Sequence, residues 1–186
     1  MGHLRLGQLD ENAEDIEAAE AHYRQAVAQG WPSAPAALGK LLVRIGKADE
    51  ALPWLRQVAA DPDDPSSRSW LGATLLETGE VEEARAILTA AVEAGEWESW
   101  LPLGNLRWDV DRDLAGAEYA YRRALAEFDP NAHLNLGLLL IEAGRNAEAR
   151  VELTLALDED EQNRQVATDA LSRLSAEDET SLRPTT

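Results

Sequence analysis

The 186-residue chain carries 35 acidic against 17 basic side chains, a formal net charge of −18. A surface of that sign repels phosphate backbones and anionic lipid, which argues against nucleic acid and membranes as partners. There is no cysteine, so disulfides, thiolate chemistry and cysteine-bound zinc are excluded, and no apolar run approaches the roughly 20 residues that cross a bilayer.

Alanine and leucine are abundant and β-branched residues sparse, a balance that favours helix. Taken in chain order, apolar periodicity predicts helix pairs at 2–11 and 13–29, 33–45 and 48–60, 66–78 and 81–94, 97–109 and 113–127, and 131–143 and 147–158. A further helix over 161–175 has Val166, Ala170, Leu171 and Leu174 as its apolar side and reads as a cap, because a terminal repeat cannot leave its apolar end bare. Residues 176–186 read as a disordered tail. The first residues, Met1-Gly2-His3-Leu4-Arg5, lack the apolar core of a signal peptide, and a cytoplasmic protein is expected.

The pairs repeat. Leu-Gly recurs at Leu6-Gly7, Leu38-Gly39, Leu71-Gly72, Leu103-Gly104 and Leu136-Gly137, with the glycines 32, 33, 32 and 33 residues apart. Twelve residues after the glycine stands Ala19, Ala51, Ala84 or Ala149, and four further on Tyr23, Leu55, Leu88 or Leu153. The fourth repeat slips by one residue and puts Ala117 and Tyr121 in those roles. Seven after the glycine comes Gly46, Gly79 or Gly144, suited to the left-handed cap of a first helix. Pro62 and Pro65 are placed to end the second repeat. The repeat boundaries fall at about 1–30, 31–63, 64–95, 96–129 and 130–160.

Trp100-Leu101-Pro102-Leu103-Gly104 supplies a Trp-x2-Leu-Gly segment, and Tyr23-Arg24-Gln25-Ala26 and Tyr119-Ala120-Tyr121-Arg122-Arg123-Ala124 suit a second helix. On these residues the chain resembles the tetratricopeptide repeat family. The period is a residue or two short of the family's, and Gln29-Gly30 and Ala94-Gly95 between units add some Sel-like character. The resemblance implies an all-α, right-handed superhelical solenoid of about five antiparallel hairpins with a C-terminal cap. Its first helices would line a concave groove that holds a protein or peptide partner.

Residues near the glycine but off the Leu-Gly-Leu stripe would face that groove. They give Lys40, Arg44, Trp70, Asn105, Trp108, Asn135 and Leu138 as the partner-binding set. Their neighbours by the same spacing include Asp109, Leu134, Ile141 and Glu142. Lys40 and Arg44 are a cationic pair on an acidic protein, the asparagines offer two donors and one acceptor each to a peptide, and tryptophan is enriched at binding hot spots. The blander readings are that Lys40 and Arg44 pair with Asp49 or Glu50, and that Trp70 and Trp108 fill gaps between repeats. Trp100 reads as structural, and Trp31 and Trp97 as plugs between repeats. The family's clamp for acidic tails is missing: Leu4, Gln8, Ala36 and Ala37 stand where it would be built.

His3 and His22 fall on different predicted helices of the first repeat and His133 in the fifth, so no two share a helix turn and no helical metal pair exists; no phosphate-loop or nucleophile-elbow motif occurs. The expectation is a non-enzymatic scaffold without metal or cofactor. Two alternatives are a regulatory arm of a larger protein and a self-assembly element that forms a homo-oligomer through its N-terminal repeat. The second is motivated by the Leu4 and Leu6 edge and Trp31. Fifteen arginines against two lysines hint at a bacterial source.

Overall fold

The computed structural model describes residues 2–60, 66–158 and 161–181, and among them every regular element is helical. The chain forms two compact units that divide after Ser99. Unit 1 holds three helical hairpins: α1 (His3–Asn12) with α2 (Ile16–Ala28), α3 (Ala34–Arg44) with α4 (Ala48–Ala59), and α5 (Ser66–Thr78) with α6 (Val81–Glu93). A 3₁₀ turn, Trp97–Ser99, completes it. In unit 2, α7 (Trp100–Asn105) continues as a π-helical turn, Leu106–Val110, and pairs with α8 (Leu114–Ala126). Next come α9 (Ala132–Glu142), α10 (Asn146–Leu155) with a 3₁₀ turn at Ala156–Asp158, and α11 (Glu161–Ser181).

The recurring glycine is where the two helices of a hairpin touch. A Cβ built on Gly39 would sit 2.9 Å from Leu55 Cδ2, and one on Gly137 would sit 2.7 Å from Leu153 Cγ. Gly7 and Gly104 meet Tyr23 and Tyr121 in the same way. Those large second-helix residues, Tyr23, Leu55, Leu88, Tyr121 and Leu153, are all buried, as are Ala19, Ala51, Ala84, Ala117 and Ala149. Burial of each such Leu stabilises by about 1.5–3 kcal/mol.

The one-residue slip of the fourth repeat has a structural counterpart. Ala117 and Tyr121 occupy the same buried positions as their equivalents, so the extra residue must be absorbed before them. It is absorbed in the π-helical turn: the Asp111 N–H reaches back five residues to the Leu106 carbonyl (3.3 Å) and the Asp113 N–H bonds the Arg107 carbonyl (2.9 Å).

Gly46, Gly79 and Gly144 end their first helices with φ of +72°, +85° and +72°. In the first and fourth repeats the same turn is made by Glu14 (φ 59°) and Arg112 (φ 56°). The turn between repeats uses Gly30 and Gly95 but also Phe128, with φ 65° and 92% of its surface exposed. A side chain in this region costs about 1–2 kcal/mol, and the surrounding helices hold it there.

Neighbouring second helices are laced by ion pairs. Lys47 bonds Glu20 at 2.8 Å, Arg56 bonds Glu83 at 2.8 Å, and Arg145 bonds Glu118 at 2.8 Å. Lys47 and Arg145 stand at the N-caps of α4 and α10, where no side-chain cap bond forms, and Asp15 and Asp113 cap α2 and α8 by accepting from Ala18 and Gly116.

Three expectations change. The last helix runs to Ser181, six residues past its expected end, and its buried side is Ala167, Ala170 and Leu174, with Val166 39% exposed. Trp31 and Trp97 are 45% and 41% exposed, so neither plugs a gap. Pro62 and Pro65, and tail residues 182–186, lie outside the described residues.

Candidate functional site

Residues about one repeat apart meet across neighbouring first helices, so the repeat positions define pairs. One pair joins the residue just after the glycine to the residue two before the next glycine. In unit 1 these are Lys40 and Trp70: the Lys40 ammonium lies 5.8 Å from the Trp70 ring centroid and donates to Ser66 Oγ at 3.2 Å. In unit 2 the same positions are Asn105 and Asn135, and Asn135 Nδ2 donates to Asn105 Oδ1 at 2.9 Å.

A second pair joins the residue four after the glycine to the residue five after the next. In unit 1 it is Glu11 and Arg44, an ion pair that also receives the Tyr23 hydroxyl at 2.7 Å. In unit 2 it is Trp108 and Glu142, and the Trp108 indole N–H donates to a Glu142 oxygen at 2.7 Å. Trp108 packs edge-on to Tyr121, with centroids 6.4 Å apart at 83°, and stands half-buried against the unit-2 core. Core filling and an accessible face are thus both present in Trp108.

Tyr121 fixes the asparagine pair. Its hydroxyl donates to Asn105 Oδ1 at 2.8 Å. Burial, with the Asp109 charge beside it, pushes the phenol well above its ordinary pKa, so it stays a donor across the physiological range. Two donors on Oδ1 orient the Asn105 amide and leave its Nδ2 hydrogens, together with Asn135 Oδ1, turned to other partners. Leu138 lies half-buried on α9 between Asn135 and Glu142 and packs on the unit-2 core.

The residues selected from the sequence therefore fall into two groups. Lys40, Arg44 and Trp70 are engaged with each other or with Ser66 and Glu11 inside unit 1. Asn105, Trp108, Asn135 and Leu138 come together in unit 2. Leu134, which spacing put on the same face, is buried at 7% exposure. Neither Asp49 nor Glu50 takes up Lys40 or Arg44; Glu50 instead pairs with Arg24 at 2.7 Å. His133 does not join the site but contacts Glu152 at 2.7 Å, and His22 contacts Asp10 while its ring stacks on His3. Trp100 packs edge-on to Tyr119 beneath the Arg123 guanidinium. Among the described residues no group of three His, Asp or Glu side chains is arranged to hold a metal. No described helix is long and apolar enough to cross a membrane.

A tetratricopeptide repeat model matches residues 4–65 and 101–164, and a second matches 42–96. Among solved structures, a thermophilic tetratricopeptide protein of Thermus thermophilus superposes with a TM-score of 0.76 at 23% identity, over 91% of this chain and 97% of that one. PilF of Pseudomonas aeruginosa gives 0.67 at 20% identity, over 94% and 89%. MamA from Desulfovibrio magneticus RS-1 gives 0.62 at 19%, over 90% and 94%. These likenesses show the fold, an all-α solenoid of helical hairpins. No curated protein matches the sequence.

Proposed function

Because this chain belongs to the tetratricopeptide repeat family, whose repeats are generally protein–protein interaction modules, we infer that it is a non-enzymatic scaffold that captures a protein partner by an extended segment laid on the first helices of unit 2. The observation that carries this reading is the Tyr121–Asn105–Asn135 chain of hydrogen bonds. A surface with only a packing role has no use for two amides locked in register. Held this way, they offer donors and an acceptor to a peptide backbone, with the ordering cost already met by folding. Trp108 supplies the aromatic anchor and Leu138 an apolar floor between them.

The test is affinity capture of partners from a lysate of the source organism by the native chain and by Asn105→Ala/Asn135→Ala. The double variant is expected to melt as the native chain does and to lose a partner that the native chain retains. Equal recovery by both, with the variant folded, would move binding off this face.

Self-assembly keeps one specific observation in its favour: Leu9 and Trp31 of the first repeat are 49% and 45% exposed. Light scattering at rising concentration checks it, and a constant monomer mass removes it.

A further inference from the structure

The two units use the same pair of positions differently, and the difference bears on the partner's chemistry. In unit 1 the pair is Glu11 with Arg44, a carboxylate with its guanidinium. In unit 2 the carboxylate is Glu142 and its neighbour is an indole N–H, which leaves the negative charge in place. Asp109, exposed and next to Trp108, adds a second. Three basic groups of unit 2 near them in sequence are committed elsewhere. Arg107 donates to the Gly116 carbonyl at 3.1 Å, Arg145 holds Glu118 and Glu148, and Arg150 donates to the Leu174 carbonyl at 2.9 Å.

The tryptophans give a second, independent indication. Trp70 carries the Lys40 ammonium and Trp100 the Arg123 guanidinium, 5.8 and 5.2 Å from the ring centroids. Among the described residues no cation lies over Trp108, although its ring is held in place by Glu142 on one side and Tyr121 on another. A half-exposed ring with a fixed carboxylate at its edge attracts a cation both by its quadrupole and by the full charge.

We propose that the segment held on unit 2 is basic, with an arginine or lysine side chain laid over Trp108 and against the Glu142 carboxylate. The proposal rests on the reading that Asn105 and Asn135 hold that segment's backbone. The side chain's aliphatic stem runs along Leu138 and the ring, and its charge meets Glu142. Asn135 and Glu142 are seven residues apart on α9, about 10 Å at ~1.5 Å per residue, which an extended peptide covers in about three residues. The basic residue therefore lies about three positions from the residue whose backbone the asparagines hold.

The test selects a displayed library of random dodecapeptides on the full chain. Synthetic versions of the winners are then measured by fluorescence anisotropy against the native chain, Glu142→Gln, Glu82→Gln and Asn105→Ala. Glutamine at 142 still accepts the indole N–H, so the change removes charge alone. Glu82, whose side chain is 87% exposed on α6 of unit 1, provides the same loss of charge away from the face. The winners are expected to carry Arg or Lys. Glu142→Gln should weaken them about fivefold, the size of one partly exposed ion pair together with a cation–π contact, with no such loss in Glu82→Gln. Equal losses in the two glutamine variants would reduce the attraction to bulk charge and overturn the proposal. Winners that need Asn105 but bind Glu142→Gln as tightly as the native chain would overturn the cation while leaving the peptide-binding face standing. Winners indifferent to Asn105, or no enrichment at all, would sink both.

Discussion

In unit 1 the two described pairs of first-helix positions are closed on themselves, whereas in unit 2 they are not. The same two pairs of repeat positions hold Lys40 with Trp70 and Glu11 with Arg44 in the one, and Asn105 with Asn135 and Trp108 with Glu142 in the other. In unit 1 Glu11 and Arg44 use up each other's charge, and the Lys40 ammonium is engaged by the Trp70 ring and Ser66. The unit-2 pairs hold each other in place and still have hydrogen-bonding capacity and charge to offer. The repeat supplies the positions, through the small residue that lets two helices approach and the large one that fills the space beyond it. What stands in those positions decides whether a face closes or stays available.

The largest effect expected from disturbing this contrast is at the tyrosine that packs under it. Tyr121→Ala should cost about 3–5 kcal/mol in chemical denaturation, as deletion of a buried aromatic does. Tyr23→Ala in unit 1 should cost as much, since both side chains are fully buried. The phenylalanine variants separate them. Tyr23→Phe leaves Glu11 with Arg44, so its loss stays small. Tyr121→Phe releases the Asn105 amide, with a cost of about 1 kcal/mol and a clear loss of peptide binding, because the asparagines are no longer held in register. Equal binding by Tyr121→Phe and the native chain would remove the role given to the hydrogen-bonded chain.

A second difference lies in the turns. Gly95 and Phe128 make the same left-handed turn, one in each unit. Phe128→Gly should raise the unfolding free energy by about 1 kcal/mol and Gly95→Phe should lower it by a similar amount, the balance of left-handed strain against chain entropy. A stabilised Gly95→Phe variant would contradict that account of the turn.

The smallest effect expected is in acid. The Lys47, Arg56 and Arg145 partners hold Glu20, Glu83 and Glu148 below the ordinary carboxylate value of 4.5. A depressed folded pKa gives stability that is present above the unfolded value and is lost as pH falls through the folded one. The melting temperature should thus decline as pH drops below about 4.5. Glu96 works the other way: burial raises its pKa despite Arg68, so its protonation relieves a cost and softens the decline. A melting temperature that rises in this range would mean that these ion pairs contribute nothing.

Much of this was legible beforehand. The Leu-Gly spacing placed each helix pair to within a few residues, because the glycine contact and the buried partner four residues past the alanine recur with the fold itself. The one-residue slip before Ala117 was visible, though its form was not: sequence spacing registers an added residue, but only the backbone hydrogen bonds reveal a π-helical turn. Spacing also brought out Asn105, Trp108 and Asn135. Their bonding to Tyr121, Glu142 and each other was not read, although separations of 30 and 34 residues, about one repeat, were the available signal. The same separation carried the unit-1 pairs, and reading it would have taken Lys40 and Arg44 as occupied by Trp70 and Glu11. The extent of the last helix was missed because a polar, acidic stretch has no apolar periodicity to announce it.

The measurement that bears most directly on the contrast between the units is the affinity of one selected dodecapeptide for three forms of the full chain: native, Asn105→Ala/Asn135→Ala, and Lys40→Ala at the matching unit-1 position. Loss of the paired asparagines should weaken binding about tenfold or more, as the removal of two hydrogen bonds implies, while Lys40→Ala leaves it within about twofold. Binding that survives in the asparagine variant and fails in Lys40→Ala would place the partner on the face that closes on itself and contradict the account.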